Sequence, residues 1–386
     1  KKSLEQIREI SQHLNQKNTG LYTRGKLESE FKRLSILKSR IYKSIYKRDF
    51  ACYPSNPMDV LRSESFLIDG LKRINHSAEM SLWQNEYESA SLNIINCTEN
   101  TQSYKISVSP ISDPNGRTLD DKPLTIRKSV YVYASTAGYI GDPLVLADGG
   151  IDLKPGQARQ IWLTWHSPKT PPGKYNFSLA IYTENSKTND SLVTVPVNVA
   201  VYPKTFPDDP ALAACNWSYT SVSHNIRNNM EKAAKDLKSH YTNVYPINHN
   251  IMPWPKKVNK SGITQVEKNF TRFDSVIREH SYVDTFLIYL KLRKGHKHRE
   301  YFGKTWMNNS WKQSFSLWLK DIVGHLKDMG ISYDRFALYP FDEQLGDDFY
   351  DLAKLIKKID PQIKIYANSF GKGPGDFMRF RDYIDI

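Results

Sequence analysis

The stretch RFALYPFDEQLGDD, residues 335–348, joins an apolar run to a group of carboxylates and guides the interpretation of the second half of the chain. An apolar run of this length between polar residues is typical of a buried β-strand. The run ends at Phe341, and Asp342 and Glu343 follow it directly. In βα folds, catalytic groups lie at the carboxyl ends of the parallel strands. Asp342 and Glu343 are therefore the candidate catalytic residues.

Helix capping is the alternative role for these acids, because carboxylates stabilise the positive end of a helix dipole. We assign that role to Asp347 and Asp348, which open the next helical pattern. Neighbouring side chains on a regular strand point to opposite faces of the sheet. Asp342 and Glu343 can thus reach one substrate only if the strand twists or leaves the sheet at that point.

Strands and helices alternate around this stretch. The pattern predicts strands at 212–217, 244–249, 285–292, 335–341 and 363–368, and helices at 226–240, 264–280, 310–329 and 347–359. Such alternation indicates a parallel sheet with helical crossovers. The chain stops at YIDI, where a sixth strand begins. Either the sequence is truncated or the fold is an open sheet; we favour truncation and predict a (β/α)8 TIM-type barrel over residues 204–386 that is truncated after about five βα units.

In the first half of the chain the apolar residues recur at other spacings. Residues 1–50 carry apolar residues at helical spacing with a break at Gly20, which predicts a helical hairpin. From 51 to 203 apolar residues alternate, as in the run Val193, Val195, Val197, Val199, Val201. Alternating runs between turn residues indicate an antiparallel β-sandwich. The predicted fold class is α+β multidomain, with a Pro-rich linker at 201–210 before the barrel.

The net charge of +13 is unevenly distributed along the 386 residues. Residues 1–50 hold 13 Lys and Arg against 5 Asp and Glu, which gives +8 and leaves +5 for the other 336. No nucleic-acid recognition motif accompanies the basic segment. We therefore predict a solvated basic helix face and no nucleic-acid partner.

The sequence predicts neither a metal nor a cofactor. Cys52, Cys97 and Cys215 have no metal-binding spacing, and we expect free, buried thiols. His296 and His298 form a His-x-His pair without a third ligand placed by the sequence, which favours a basic loop. No apolar run approaches the roughly 20 residues of a membrane span. We expect no transmembrane segment.

Several stretches together resemble glycoside hydrolase family 123, the exo-β-N-acetylgalactosaminidases. They are WQNEYESASLNIIN at 83–96, QIWLTW at 160–165, PPGKYNFSLAIY at 171–182, VYPKTFP at 201–207 and FDEQ at 341–344. The resemblance covers about residues 51–386, the range from the first sandwich strand onward. Gln344 follows the acidic pair where the family usually has proline.

The resemblance implies a β-sandwich coupled to a (β/α)8 barrel and substrate-assisted, retaining hydrolysis. Asp342 would orient the 2-acetamido group and stabilise an oxazolinium intermediate. Glu343 would protonate the departing oxygen and later deprotonate water. The implied substrate is a terminal β-linked N-acetylgalactosamine on a glycan or glycolipid.

Polar and aromatic residues at the other strand ends are candidates for substrate binding, since sugars need polar groups and an aromatic platform. Each of them has a loop or capping role as its alternative. The candidates are Asn216, Trp217, Asn248, His249, Lys291, Arg293 and Asn368.

Two alternative functions stay open. One keeps the fold and changes the terminal sugar, for example to β-N-acetylglucosamine; the other is a catalytically inactive carbohydrate-binding protein. A secreted or periplasmic location follows from the function alone, because no signal peptide is visible in the chain. The sequence does not determine the oligomeric state.

Overall fold

A computed structural model describes residues 24–386 except 64, 114, 120–122, 167, 169, 184–191, 210, 225, 256, 259–263, 266–268 and 369–372. The chain divides into two compact units, Lys1–Pro207 and Asp208–Ile386. It is a mixed α+β protein, with mainly antiparallel sheets before the division and a four-stranded parallel sheet after it. Within the described residues, no helix combines the length and apolar character needed to cross a membrane.

The first unit begins with helix α1 (Arg24–Tyr46). Its apolar side buries Tyr42 and Tyr46 in a small core with Tyr53 and Ile95. The first helix of the predicted hairpin lies outside the described residues, so the hairpin stays a prediction. A short 3₁₀ helix, Asp69–Lys72, follows later in the unit.

Strands make up most of the first unit. They are β1 (Phe50–Ser55), β2 (Leu61–Arg62), β3 (Ala78–Gln84), β4 (Glu88–Asn96), β5 (Gln102–Val108), β6 (Leu124–Ala134), β7 (Gly138–Leu146), β8 (Ile151–Leu153), β9 (Ala158–Trp165), β10 (Gly173–Thr183) and β11 (Leu192–Thr205). One sheet has the order β1-β4-β9-β6-β7-β2 and the other β3-β11-β10-β5-β8. Leu92 and Trp165 of the first sheet share a core with Tyr104 and Leu179 of the second.

One strand pair corrects the prediction of a purely antiparallel sandwich. β3 and β11 run parallel, in register from Val197 opposite Ala78 to Tyr202 opposite Trp83. The two strands are far apart in the sequence, and alternation of apolar residues does not encode the direction of pairing. All three cysteines are free thiols; Cys52 and Cys97 are buried, as expected, whereas Cys215 is exposed.

The second unit contains a parallel sheet and its crossover helices. The strands are β12 (Val244–Ile247), β13 (Lys257–Val258), β14 (Thr264–Gln265), β15 (Thr285–Tyr289), β16 (Phe336–Tyr339) and β17 (Lys364–Ile365). The helices are α2 (Met230–Ser239), α3 (Thr271–Glu279), α4 (Asn309–Asp328), α5 (Asp347–Ile359) and α6 (Pro374–Phe377). The 3₁₀ helices are Arg227–Asn229, His249–Ile251, Lys297–Phe302, Tyr333–Arg335 and Met378–Phe380.

The parallel sheet has the order β12-β15-β16-β17, so its strands follow one another in chain order. Ile288 and Leu338 are fully buried in its centre, against apolar residues of the helices such as Trp318 and Ile356. At one edge Cys215 forms a single parallel bridge with Val244. In the described residues the sheet is open, because β12 and β17 do not pair with each other.

Two elements of the second unit differ from the sequence predictions. Residues 212–217 make only one bridge, because the Asn243 side chain bonds the Leu212 carbonyl and the Ala214 amide in place of a strand. The predicted helix 264–280 begins only at Thr271, whose amide is capped by Asn269 at 3.2 Å. At the first place a polar side chain replaces regular backbone pairing. At the second, Thr264 and Gln265 form strand β14, which pairs antiparallel with β13 in a separate two-stranded sheet.

Candidate functional site

Asp342 and Glu343 lie just beyond the carboxyl end of β16, and both are exposed to solvent. Glu343 has a left-handed backbone with φ of 53°. A residue in this region breaks the alternation of a strand, so the two neighbouring side chains need not point to opposite faces. For a residue with a Cβ the conformation costs about 1 kcal/mol or more.

Asn368, in the segment after β17, holds this strained turn in place. The Glu343 amide donates to Oδ1 of Asn368 at 3.0 Å. The Tyr339 hydroxyl lies 2.7 Å from the same oxygen and also donates to Oδ1 of Asp342. Residues from β16 and from the segment after β17 therefore fix both the backbone of Glu343 and the carboxylate of Asp342.

Four tyrosines surround Asp342: Tyr219, Tyr289, Tyr339 and Tyr366. Burial, and then the charge of Asp342, raise the pKa of Tyr289 to about 12. Burial is also the main cause that raises the pKa of the other three, and Asp342 contributes to each. The four phenols therefore remain protonated near neutral pH and can donate hydrogen bonds.

Trp217 presents an aromatic surface beside this group. Its ring centroid lies 5.5 Å from that of Tyr339 and 6.4 Å from that of Tyr366. The residue nevertheless remains 43% exposed, which is unusual for a tryptophan with two aromatic neighbours. It is suited to pack against the apolar face of a sugar ring.

His249, Lys291 and Arg293 form a second group, connected to the first through Tyr289. The His249 ring lies 5.4 Å from that of Tyr289, and the charge of Arg293 lowers the pKa of Tyr289, against the larger effect of burial. Lys291 has φ of 54°, so β15 also ends in a left-handed turn. Burial first, and then the charge of Lys291, lower the pKa of His249 to about 4.

The structure adds His249 to the His296 and His298 pair. The three ring centroids are 4.4 to 5.7 Å apart, and Nδ1 of His249 and of His298 are buried without a hydrogen-bond partner. Burial lowers the pKa of His298 to about 3. Even so, no group of three His, Cys, Asp or Glu in the described part of the chain is arranged to hold a metal ion. His249 and His298 are buried and His296 is half-buried, and the three rings pack together to support the loop.

Two of the sequence candidates have local structural roles. Oδ1 of Asn248, which is 7% exposed, accepts from the Asn250 amide at 2.9 Å and caps a 3₁₀ helix. Oδ1 of Asn216 accepts from the Ser218 hydroxyl at 2.8 Å in an exposed turn. The structure thus brings Trp217 and Asn368 to the acidic pair, and His249, Lys291 and Arg293 to an adjacent group.

The sequence analysis did not identify the four tyrosines. A signal was present, because Tyr289 and Tyr339 are the last residues of β15 and β16, and Tyr366 follows β17 directly. One tyrosine at the end of each of three successive strands is a pattern that places hydroxyls at one edge of a sheet.

The fold of the chain is similar to that of a solved enzyme, a family 123 glycoside hydrolase from Clostridium perfringens that was studied for the details of glycolipid glycan hydrolysis. The TM-score is 0.64 at 13% identity, and the match covers 87% of this chain and 66% of that one. The chain thus spans about two thirds of that enzyme's length. At this identity the likeness concerns the fold.

Other structural matches are much weaker. The PapD-like domain of human CEP192 matches with a TM-score of 0.23 at 8% identity, over 33% of this chain and 82% of that one. A FixG-related protein from Vibrio parahaemolyticus matches with a TM-score of 0.20 at 12% identity, over 40% and 96%. No protein-family model and no curated protein matches the chain.

Proposed function

We propose that the protein is a retaining exo-glycosidase that releases terminal β-linked N-acetylgalactosamine from a glycan or glycolipid. The observation that carries the proposal is the pair Asp342 and Glu343 at the carboxyl end of a parallel strand, with Asp342 held by Tyr339. The similarity in fold to a family 123 glycoside hydrolase supports the same reaction class.

The proposal includes a (β/α)8 barrel as the catalytic fold. The sequential strand order supports this, because doubly wound sheets reverse their order at a switch point whereas barrels add each strand beside the last. The contact of Ile386 with residues 365 and 367 extends the order by one more position beyond β17.

In the proposed mechanism the substrate supplies the nucleophile. The carbonyl oxygen of the 2-acetamido group attacks C1, the bond from C1 to the departing oxygen breaks, and an oxazolinium forms. Asp342 accepts the amide N–H of that group and balances the charge on the ring. Because Tyr339 donates to Oδ1, we assign the substrate amide to the other carboxylate oxygen, Oδ2.

Glu343 carries the proton in both steps. As an acid it donates to the departing glycosidic oxygen, and as a base it then takes a proton from the water that opens the oxazolinium at C1. The Glu343 amide is held by Asn368 and its backbone is left-handed, which supports a side chain on the same side as Asp342. The carbonyl oxygen and then the water attack C1 from opposite sides, so the anomeric configuration of the sugar is retained.

Substrate binding is proposed for the groups around the pair. Trp217 would pack on the sugar face, Asn368 and the tyrosine hydroxyls would bind its hydroxyls, and Lys291, Arg293 and His249 would line the side toward β15. Since glycans of this kind occur mainly on surfaces and secreted molecules, we also propose that the protein acts outside the cytoplasm.

Substitution of each acid tests the proposal. Glu343→Gln and Asp342→Asn should each lower kcat on an aryl β-N-acetylgalactosaminide by about 10²- to 10⁴-fold, the usual contribution of a positioned acid or base. The control is Asp347→Asn, which removes a nearby carboxylate that pairs with Arg379 and is largely exposed. It should retain wild-type turnover.

Three results would count against the proposal. Wild-type rates in both acid variants would exclude the pair as the catalytic groups. Turnover of another aryl glycoside, such as the N-acetylglucosaminide, in preference to the N-acetylgalactosaminide would change the sugar. Glycan binding without any turnover would instead indicate a carbohydrate-binding protein.

A further inference from the structure

A cavity of about 410 Å³ lies in the second unit, apart from the acidic pair. We call it the rim cavity and define it by Asn250, Trp254, Asn269, Arg272 and Tyr301. Its volume falls in the range of sites that hold small ligands.

The rim cavity opens at the same edge of the parallel sheet as the acidic pair. Asn250 and Trp254 follow the carboxyl end of β12, and Tyr301 lies in the segment after β15. Parallel strands in one sheet bring these ends together, as they do for Asp342 after β16. A chain of ring contacts, from Trp254 through His298, His249 and Tyr289, leads to Tyr339, with each step between 4.7 and 5.4 Å.

The wall of the cavity is rigid on one side and open on the other. Trp254 stacks on Trp318 at 5.1 Å and on His298 at 4.7 Å, and its Nε1 donates to the His249 carbonyl at 2.6 Å. Tyr301 makes tilted contacts with Trp254 and His298 and is only half-buried. Trp254 is therefore fixed, and Tyr301 is the ring available to a ligand.

The charged side chain among the lining residues is a cation, Arg272. Arg272 is exposed and forms no ion pair with a described residue, whereas Asp274 is occupied by Arg278 and His325. The segment 291–302, which carries Tyr301, contains five Lys and Arg and a single acid, Glu300. Of the five, Arg299 pairs with Asp348 at 2.7 Å. Positive potential with few fixed partners favours an anionic ligand.

Amide groups complete the lining. Oδ1 of Asn269 caps Thr271, which leaves its Nδ2 as a donor, and the side chain of Asn250 is exposed. An aromatic ring, amides and a guanidinium are the groups that bind a sugar bearing a carboxylate: the ring packs on its C–H face, the amides bind hydroxyls, and the fork of an arginine matches a carboxylate.

We propose that the rim cavity is a second sugar subsite, which binds an acidic sugar of the same glycan at some distance from the bond that is cleaved. Arg272 pairs with the carboxylate of this sugar and Tyr301 packs against its ring. The proposal rests on the function proposed above and narrows the substrate class to acidic glycans.

The test compares two oligosaccharides that share the terminal β-linked N-acetylgalactosamine and differ only in a distal sugar, a uronic acid in one and its carboxyl-reduced form in the other. In wild-type protein the acidic form should have the higher kcat/KM. Arg272→Ala should lower the ratio of the two kcat/KM values about tenfold, the effect of losing one hydrogen-bonded charged contact. Arg272→Lys should restore little of the preference for the acidic oligosaccharide, because a lysine cannot make the two parallel hydrogen bonds of an arginine to a carboxylate.

Arg278→Ala is the matched control, because it removes the same charge from the same helix at an exposed position outside the cavity. It should leave the ratio unchanged. Equal effects of Arg272→Ala and Arg278→Ala would mean that the positive charge of the helix attracts the acidic oligosaccharide at long range. The rim cavity would then not be a binding site, which would overturn the proposal. Tyr301→Ala should lower kcat/KM for both oligosaccharides about threefold to tenfold, and Tyr301→Phe should restore it.

A binding experiment separates failure of the subsite from failure of the proposed function. Methyl glucuronide and methyl glucoside are titrated into the wild-type chain and followed by NMR. Shifts with the glucuronide that Arg272→Ala removes would support the subsite even if no glycoside is cleaved. Equal responses to the two sugars would overturn it even if the aryl glycoside is cleaved.

Discussion

Removal of one hydroxyl group, in Tyr339→Phe, tests how the protein positions Asp342. This hydroxyl donates to Oδ1 of Asp342 and contacts Asn368. The phenylalanine ring keeps the packing with Tyr289 and Tyr366, whose centroids both lie 4.9 Å from that of Tyr339. The change is therefore confined to the hydrogen bond.

The magnitude follows from the kind of bond and its exposure. A hydrogen bond to a charged group contributes about 1.5–3 kcal/mol, and about 1.4 kcal/mol corresponds to a factor of ten. Asp342 is exposed, so water replaces part of the lost bond and the lower end applies. We expect kcat on an aryl β-N-acetylgalactosaminide to fall about 10- to 30-fold, with KM within about threefold of wild type.

The matched control is Tyr333→Phe. Tyr333 also donates its hydroxyl to a carboxylate, that of Asp360, but this pair is not part of the candidate site. Both variants should lower the thermal midpoint by a few degrees at most, and only Tyr339→Phe should lower kcat. The reasoning is refuted if Tyr339→Phe retains kcat within twofold of wild type while Asp342→Asn is inactive.

Two further predictions concern the support of the site and the pH dependence of stability. Asn368→Ala removes the acceptor of the Glu343 amide and should lower kcat about tenfold, whereas Asn216→Ala should not; steady-state kinetics of both variants decides this. His249 and His298 are buried, with pKa values lowered to about 4 and about 3, so the unfolded chain takes up protons first as the pH falls. The free energy of unfolding should therefore decline as the pH falls from about 6.5 to about 4. In a His249→Gln, His298→Gln double variant the thermal midpoint should fall less steeply with pH over the same range. An unchanged dependence of the midpoint on pH would contradict the lowered pKa values of the two histidines.

The sequence located the acidic pair because hydrophobicity ends abruptly at Phe341. It also placed helix α5 at its observed bounds, Asp347–Ile359, since acidic residues open it and lysines close it. Where a regular apolar pattern meets a capping signal, the local sequence is sufficient to predict the bounds of a helix.

Other parts of the site depend on contacts between distant residues. Asn248 and Asn368 both follow a strand, yet one caps a 3₁₀ helix while the other bonds Glu343 across 25 residues. The sequence does not separate Tyr289 and Tyr339 from strand core, because an aromatic residue at the end of a strand has the same pattern whether it packs inward or borders a site. These distinctions are set by tertiary packing.

The left-handed backbone at Glu343 has a consequence for protein engineering. Glycine adopts this conformation without strain, so a search for thermostable variants that scores folding alone would favour Glu343→Gly and, for the same reason, Lys291→Gly. Both changes would relieve the backbone and remove the side chains on which activity is proposed to depend. Thermal stability and catalytic activity therefore compete at these two positions. Any selection for thermostable variants has to include an assay of activity.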